Sequence, residues 1–133
     1  MGNDLFKEER HFWDGYAGRY DRFMKRLSEE YATLIDLIWK DVGQEDTVLE
    51  IAAGTGIITQ EISKKVKKVC ATDLSGPMID IATEKAARAG LHNIEFSVQS
   101  GYSLSFADAT FDTCIVANAL HVMKKPDLCL KEI

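Results

Sequence analysis

The segment Glu50-Ile51-Ala52-Ala53-Gly54-Thr55-Gly56 places a carboxylate at the close of an apolar run and two glycines in the turn behind it. A carboxylate in such a place is costly unless a cation or a hydrogen-bond donor meets it. Glycines there permit positive φ and let a ligand come close to the main chain. Their spacing fits two frames. The dinucleotide fingerprint G-x-G-x-x-G, begun at Gly54, finds Thr59 where its third glycine belongs. The frame acidic-x-G-x-G-x-G, begun at Glu50, misses only at Ala52 and also accounts for the acid. Ala52 is then expected to be a methyl group at the least demanding of three glycine positions, with φ below zero.

These residues need a scaffold, and the pattern of apolar residues supplies one. From Thr47 onward strand-like runs (Thr47–Ile51, Val69–Thr72, Ile94–Val98 and Phe111–Ala117) alternate with helical ones at about 56–65, at 77–89 and from near Pro126. Such alternation predicts a parallel sheet with helices on its faces. In an open sheet of this kind ligands bind beyond the carboxyl ends of the strands, where the turn at 52–56 falls, and the next helix offers free N–H groups there. In the segment at 77–89, Met78, Ile79, Ile81, Ala82, Ala86 and Ala89 are expected to face inward, with Ser75 as N-cap and Gly90 just past the C-terminus. Before residue 45 the chain reads as two helices. Phe12, Trp13, Tyr16, Tyr20, Phe23, Met24 and Leu27 recur at helical spacing in the first; Leu34, Ile35, Leu37, Ile38 and Trp39 form the expected buried face of the second, which Ser28 can cap. The expected class is α/β: one domain over 1–133, with a helical cap over 1–44 and a four-stranded, mainly parallel Rossmann-like part over 45–133.

With these motifs the sequence resembles the class I S-adenosylmethionine-dependent methyltransferases. Ala71-Thr72-Asp73-Leu74-Ser75 is similar to their second signature, and Phe111–Val116 to their fourth strand. Asn118–Val122 and Leu130–Ile133 resemble the segments that follow. Phe12–Asp21 is similar to the N-terminal helix of the small-molecule and quinone-biosynthesis types. The resemblance implies S-adenosyl-L-methionine as cofactor, S-adenosyl-L-homocysteine as product and a small-molecule methyl acceptor. It implies Glu50 near the cofactor's ammonium group, and Gly54 and Gly56 making room for its methionine part. Asp73 would hold the ribose hydroxyls, with Leu74 against adenine and Tyr20 closing over the ligand. A carboxylate suits two vicinal hydroxyls because it accepts both hydrogen bonds without donating. Ala52, Thr55, Met78, Ser100, Gly101 and Asn118 complete the implied cofactor-binding set. Methyl transfer of this kind relies on positioning two partners, so no catalytic side chain is assigned, and His121 is read as a packing or loop residue.

The sequence departs from the family's pattern at Gln99-Ser100-Gly101, where many members carry Gly-Asp-Ala, and Ser100 accepts a hydrogen bond more weakly than a carboxylate. It also stops before the family's fifth strand, leaving an apolar fourth-strand edge, so the chain is expected either to be a truncated product or to pair with a second copy through that edge. Three other readings remain open: a non-catalytic cofactor-binding or interaction module, an NAD-dependent dehydrogenase half-domain, and a structural protein. The net charge of −5 makes nucleic acid a poor partner. The run Lys64-Lys65-Val66-Lys67-Lys68 is read as a helix end and a solvated turn. Cys70, Cys114 and Cys129 lack metal-ligand spacing and read as reduced structural thiols, so no metal is assigned. With no apolar run of membrane-spanning length, a cytoplasmic protein is expected. The stripe Trp13/Tyr16/Tyr20 is read as core, with a cofactor lid as the alternative.

Overall fold

A computed structural model of the chain describes residues 3–24, 28–100, 104 and 111–117. Two helices come first, α1 (Asn3–Met24) and α2 (Ser28–Asp41). Then β1 (Thr47–Glu50), α3 (Ile57–Ser63), β2 (Lys68–Asp73), α4 (Gly76–Arg88), β3 (Ile94–Val98) and β4 (Thr113–Ile115) alternate as the sequence predicts. The expected helix near Pro126 lies outside the described residues. All three strand pairings are parallel, and the order across the sheet is β3-β2-β1-β4. The chain therefore steps outward from β1 to β2 to β3, then returns to the other side of β1. That reversal makes a switch point between β1 and β4, directly beyond Glu50.

Strand alternation decides which side each residue faces. Val48, Val69, Ala71 and Ile115 join Ile58, Ile62 and Val66 in the main core, which α2 completes with Tyr31, Leu34, Ile35, Ile38 and Trp39. Leu49, Ile51 and Cys70 form the smaller cluster, joined by Leu104, Phe111, Cys114 and Val116. Leu37 is 54% exposed, contrary to its expected place on the buried face. At 3.6 residues per turn, Tyr31, Leu34, Ile35 and Ile38 form one stripe and Leu37 falls off it. The Trp39 indole nitrogen donates to the Glu61 carbonyl at 3.2 Å, tying α2 to α3.

Both expected ends of α4 are found. Ser75 Oγ accepts from the Met78 N–H at 3.3 Å. At the other end Gly90 has φ 71°, with Leu91 N–H on the Ala86 carbonyl and Gly90 N–H on that of Ala87. Met78, Ile79, Ala82 and Ala86 are buried, but Ala89 is exposed because the helix has already ended at Arg88. Helix α1 corrects a larger expectation. Only Ala17 among its described side chains is buried, while Phe12 is 62% exposed and Trp13 and Tyr16 are half-buried. The three rings pack on one another, Phe12 on Trp13 edge-on with centroids 5.0 Å apart, so Phe12, Trp13 and Tyr16 form a cluster at the surface instead of fully buried core, and the Tyr20 side chain lies outside the described residues. The basic run is largely engaged: Lys64 pairs with Glu61, Lys68 with Glu95, and Lys65 donates to the Trp39 carbonyl.

Candidate functional site

The turn after β1 is held by main-chain bonds from three directions. Ile51 N–H donates to the Ile115 carbonyl at 2.9 Å, Ala53 N–H to that of Thr72 at 2.9 Å, and Gly56 N–H to that of Ala53 at 3.1 Å. To meet all three the chain takes positive φ at alternate residues: Ala52 (59°), Gly54 (60°) and Gly56 (83°). Ala52 was expected to keep φ below zero, and this is a correction. The backbone must reverse after Ile51 to bring Ala53 onto Thr72, so the left-handed conformation is imposed at Ala52 as firmly as at the glycines. A half-buried methyl group is the smallest side chain that bears it. Gly56 has a second constraint, because a Cβ there would lie 3.1 Å from that of Ala82 on α4.

Glu50 has the same strand parity as Val48 and so faces α3. It is 3% exposed. Thr59, fully buried on the first turn of α3, donates its hydroxyl to Glu50 Oε1. Thr72 Oγ1 donates to the Glu50 carbonyl at 3.1 Å. Burial pushes the Glu50 carboxyl up from the ordinary 4.5 to about 8; the Thr59 donor opposes this and the nearby Asp73 charge adds to it. Among the described residues no lysine or arginine pairs with Glu50.

Asp73 closes β2 beside this turn. Its Oδ2 accepts from Gly54 N–H at 2.8 Å and its Oδ1 from Ser75 N–H at 2.9 Å. Burial raises its pKa, against main-chain donors from Ser75, Gly54 and Leu74 that lower it, and the Asp14 charge raises it further. The carboxylate thus clasps the glycine turn to the start of α4 and keeps lone pairs for further donors. Helix α1 reaches the same corner: Asp14 Oδ1 accepts from Ser75 Oγ at 2.5 Å, and Arg10 Nε donates to the Leu74 carbonyl at 3.2 Å. Arg10, Asp14 and Ala17 lie at helical spacing on one face, which sets α1 across the Asp73–Ser75 turn.

The structure brings Glu50, Ala52, Gly54, Thr55, Gly56, Asp73, Leu74 and Met78 to one end of the sheet. Thr55 and Met78 are buried and Leu74 is half-buried. Ser100 is half-buried just beyond β3, where Gln99 N–H meets the Asp73 carbonyl at 2.9 Å. Gly101, Asn118 and His121 lie outside the described residues; Tyr20 falls within α1, its side chain outside the description. Among the described residues no group of acids, histidines and cysteines is placed to hold a metal ion. Sequence reasoning missed Thr59 as the partner of Glu50, and it missed Arg10 and Asp14. The signal for Asp14 was a carboxylate in register with Arg10 and Ala17 amid an aromatic stripe.

A glycine turn with alternate positive φ at a switch point, an acid closing each of two neighbouring parallel strands, and helices packed on the sheet define a Rossmann-like cofactor-binding half. Comparison with known proteins makes the class specific. Residues 48–133 match the family described as methyltransferase domain, and the chain belongs to that family. It is similar to a demethylmenaquinone methyltransferase of Porphyromonas gingivalis (33% identity, covering 88% of this chain and 51% of that protein). It is also similar to a ubiquinone/menaquinone biosynthesis C-methyltransferase of Rhizobium meliloti (32% identity, 98% and 51%). Among solved structures, DhpI in a complex with SAM and HEP superposes with a TM-score of 0.75 at 26% identity, covering 96% of this chain and 58% of that one. The chain spans about half the length of the curated relatives it matches. No helix among the described residues is long and apolar enough to cross a membrane.

Proposed function

We propose that the chain forms the cofactor-binding part of an enzyme that moves a methyl group from S-adenosylmethionine to a small-molecule acceptor. The observation that carries this reading is the buried Glu50 carboxylate, which has a hydroxyl partner and no cation among the described residues. An ammonium group on a ligand would supply the counter-charge with which this carboxyl ionises, and the bare main chain from Ala52 to Gly56 would accept the aliphatic part beside it. Asp73, already oriented by two main-chain donors, would take the ribose hydroxyls on its remaining lone pairs, with Leu74 and Met78 beside the base. Tyr20, Ser100, Gly101 and Asn118 would complete the site.

When bound, the cofactor supplies a sulfonium-activated methyl group that is electrophilic without help from the protein. The chain's own residues would bind, orient and exclude water, which is what an in-line transfer needs. The demethylated cofactor would leave as a neutral thioether, and a neutral acceptor would release its proton as the methyl group arrives; no described side chain is assigned to take it. Relatives named for demethylmenaquinone support an acceptor of small-molecule type. Calorimetric titration with S-adenosylmethionine and S-adenosylhomocysteine tests the reading. Saturable binding that Asp73→Ala strongly weakens supports it, and no binding of either at millimolar ligand refutes it.

A further inference from the structure

We propose that Thr59 is a positioning residue for the cofactor: its hydroxyl fixes the Glu50 carboxylate for an ammonium group, so the site selects nucleosides that carry an amino-acid tail. The inference rests on the reading of this end of the sheet as the cofactor site. A threonine inside a helix ordinarily turns its hydroxyl to the carbonyl one turn back, as Thr33 does on Glu29 and Thr83 on Ile79. Thr59 reaches across to the last residue of β1 instead, and both side chains are buried.

The geometry around this bond is constrained. Gly56 lets α3 sit close to Ala82, and the turn from Ile51 to Gly56 is bonded to β4 and β2. The donor therefore stands at a fixed place relative to Glu50. The groups around the carboxylate differ in effect. Asp73, at the end of β2, and burial both favour its protonated form; the Thr59 donor favours the ionised form that an ammonium needs. Among the described residues no cationic side chain pairs with it. A glycine at position 59, as the dinucleotide fingerprint would have it, would leave the acid without this donor.

The test compares S-adenosylhomocysteine with 5′-methylthioadenosine, which keeps the nucleoside and lacks the amino-acid tail, on the full chain by calorimetry. Thr59→Val removes the hydroxyl and keeps the shape; Thr59→Ala and Thr59→Ser form a second pair that decides if the valine variant fails to fold. Variants without the hydroxyl are expected to lose affinity for S-adenosylhomocysteine by roughly 10- to 100-fold, the range of a charge-assisted hydrogen bond. Their affinity for methylthioadenosine is expected to stay within about twofold, and Thr59→Ser to bind both as the parent does. Equal losses for both ligands would mark Thr59 as merely structural and overturn the proposal, as would no loss for either. A parent chain that binds neither nucleoside would instead remove the reading of the site itself.

Discussion

Replacing Glu50 by glutamine should make the ligand-free protein progressively more stable than its parent as the pH rises. In the folded chain burial lifts this carboxyl from 4.5 to about 8, so it holds a proton that the unfolded chain has released. A raised carboxyl pKa contributes stability that is complete below about 4.5 and is lost as the pH climbs through about 8. Within that window each pH unit removes about 1.4 kcal/mol, which is the free energy of one proton per unit. From about pH 5.5 to about pH 7.5 the parent should therefore lose roughly 2–3 kcal/mol through this residue alone. Glutamine keeps an oxygen for the Thr59 hydroxyl and has no proton to lose. Its amide N–H groups bring a burial cost of about 1–3 kcal/mol, but that cost does not vary with pH. The slope of the difference is thus the diagnostic quantity. Asp73, whose carboxyl is also raised, is present in both proteins and largely cancels. Urea midpoints at three pH values, converted with a common m-value, give the measurement. Parallel stability curves for the two proteins would refute the reasoning, because they would mean that Glu50 is ionised in the folded chain.

Four other outcomes follow from the same geometry. Asp73→Ala, which frees Gly54 and the start of α4, should weaken S-adenosylhomocysteine binding by roughly 100-fold or more in calorimetry. Ala52→Gly should stabilise the fold by about 0.5–1 kcal/mol in urea titration, since relief of left-handed strain outweighs the added chain entropy. Gly56→Ala should destabilise by about 2 kcal/mol in the same assay, having φ 83° and Ala82 in its path. Ser75→Ala should cost about 1 kcal/mol by loss of the α4 cap, and by releasing Asp14 it should speed amide exchange in α1 more than in α3.

The order of elements from Thr47 was legible because alternation at period 2 and period 3.6 is a property of local sequence, and each core strand and helix keeps its own pattern. Glycine and serine marked both ends of α4 for equally local reasons. Helix α1 was misread because aromatic periodicity says that one face is apolar without saying what covers it. Its position depends on Arg10 and Asp14 meeting a turn sixty-odd residues later in the chain, a contact that only the fold creates.

Ala52 and Thr59 show the same limit inside the site, and in opposite directions. Both were read against glycine templates as single residues, the first as an easy substitution and the second as a mismatch that weakens the dinucleotide frame. What each does is set by a neighbour from another strand: Ala52 takes φ 59° because Ala53 must reach Thr72, and Thr59 matters because strand parity turns Glu50 toward α3. A motif counts residues along the chain, whereas the cost of a buried carboxylate or of a left-handed alanine is decided across it. For that reason the Ala52→Gly and Thr59→Val variants are expected to separate cleanly. The first should change stability with little effect on ligand choice. The second should change which ligands bind and lower stability by about 1–3 kcal/mol, the cost of leaving the buried Glu50 carboxyl without its donor, while the backbone of the site stays held by bonds that Thr59 does not make. If Ala52→Gly altered ligand selectivity as Thr59→Val does, the turn and the carboxylate would be one coupled unit, and assigning them separate tasks would fail.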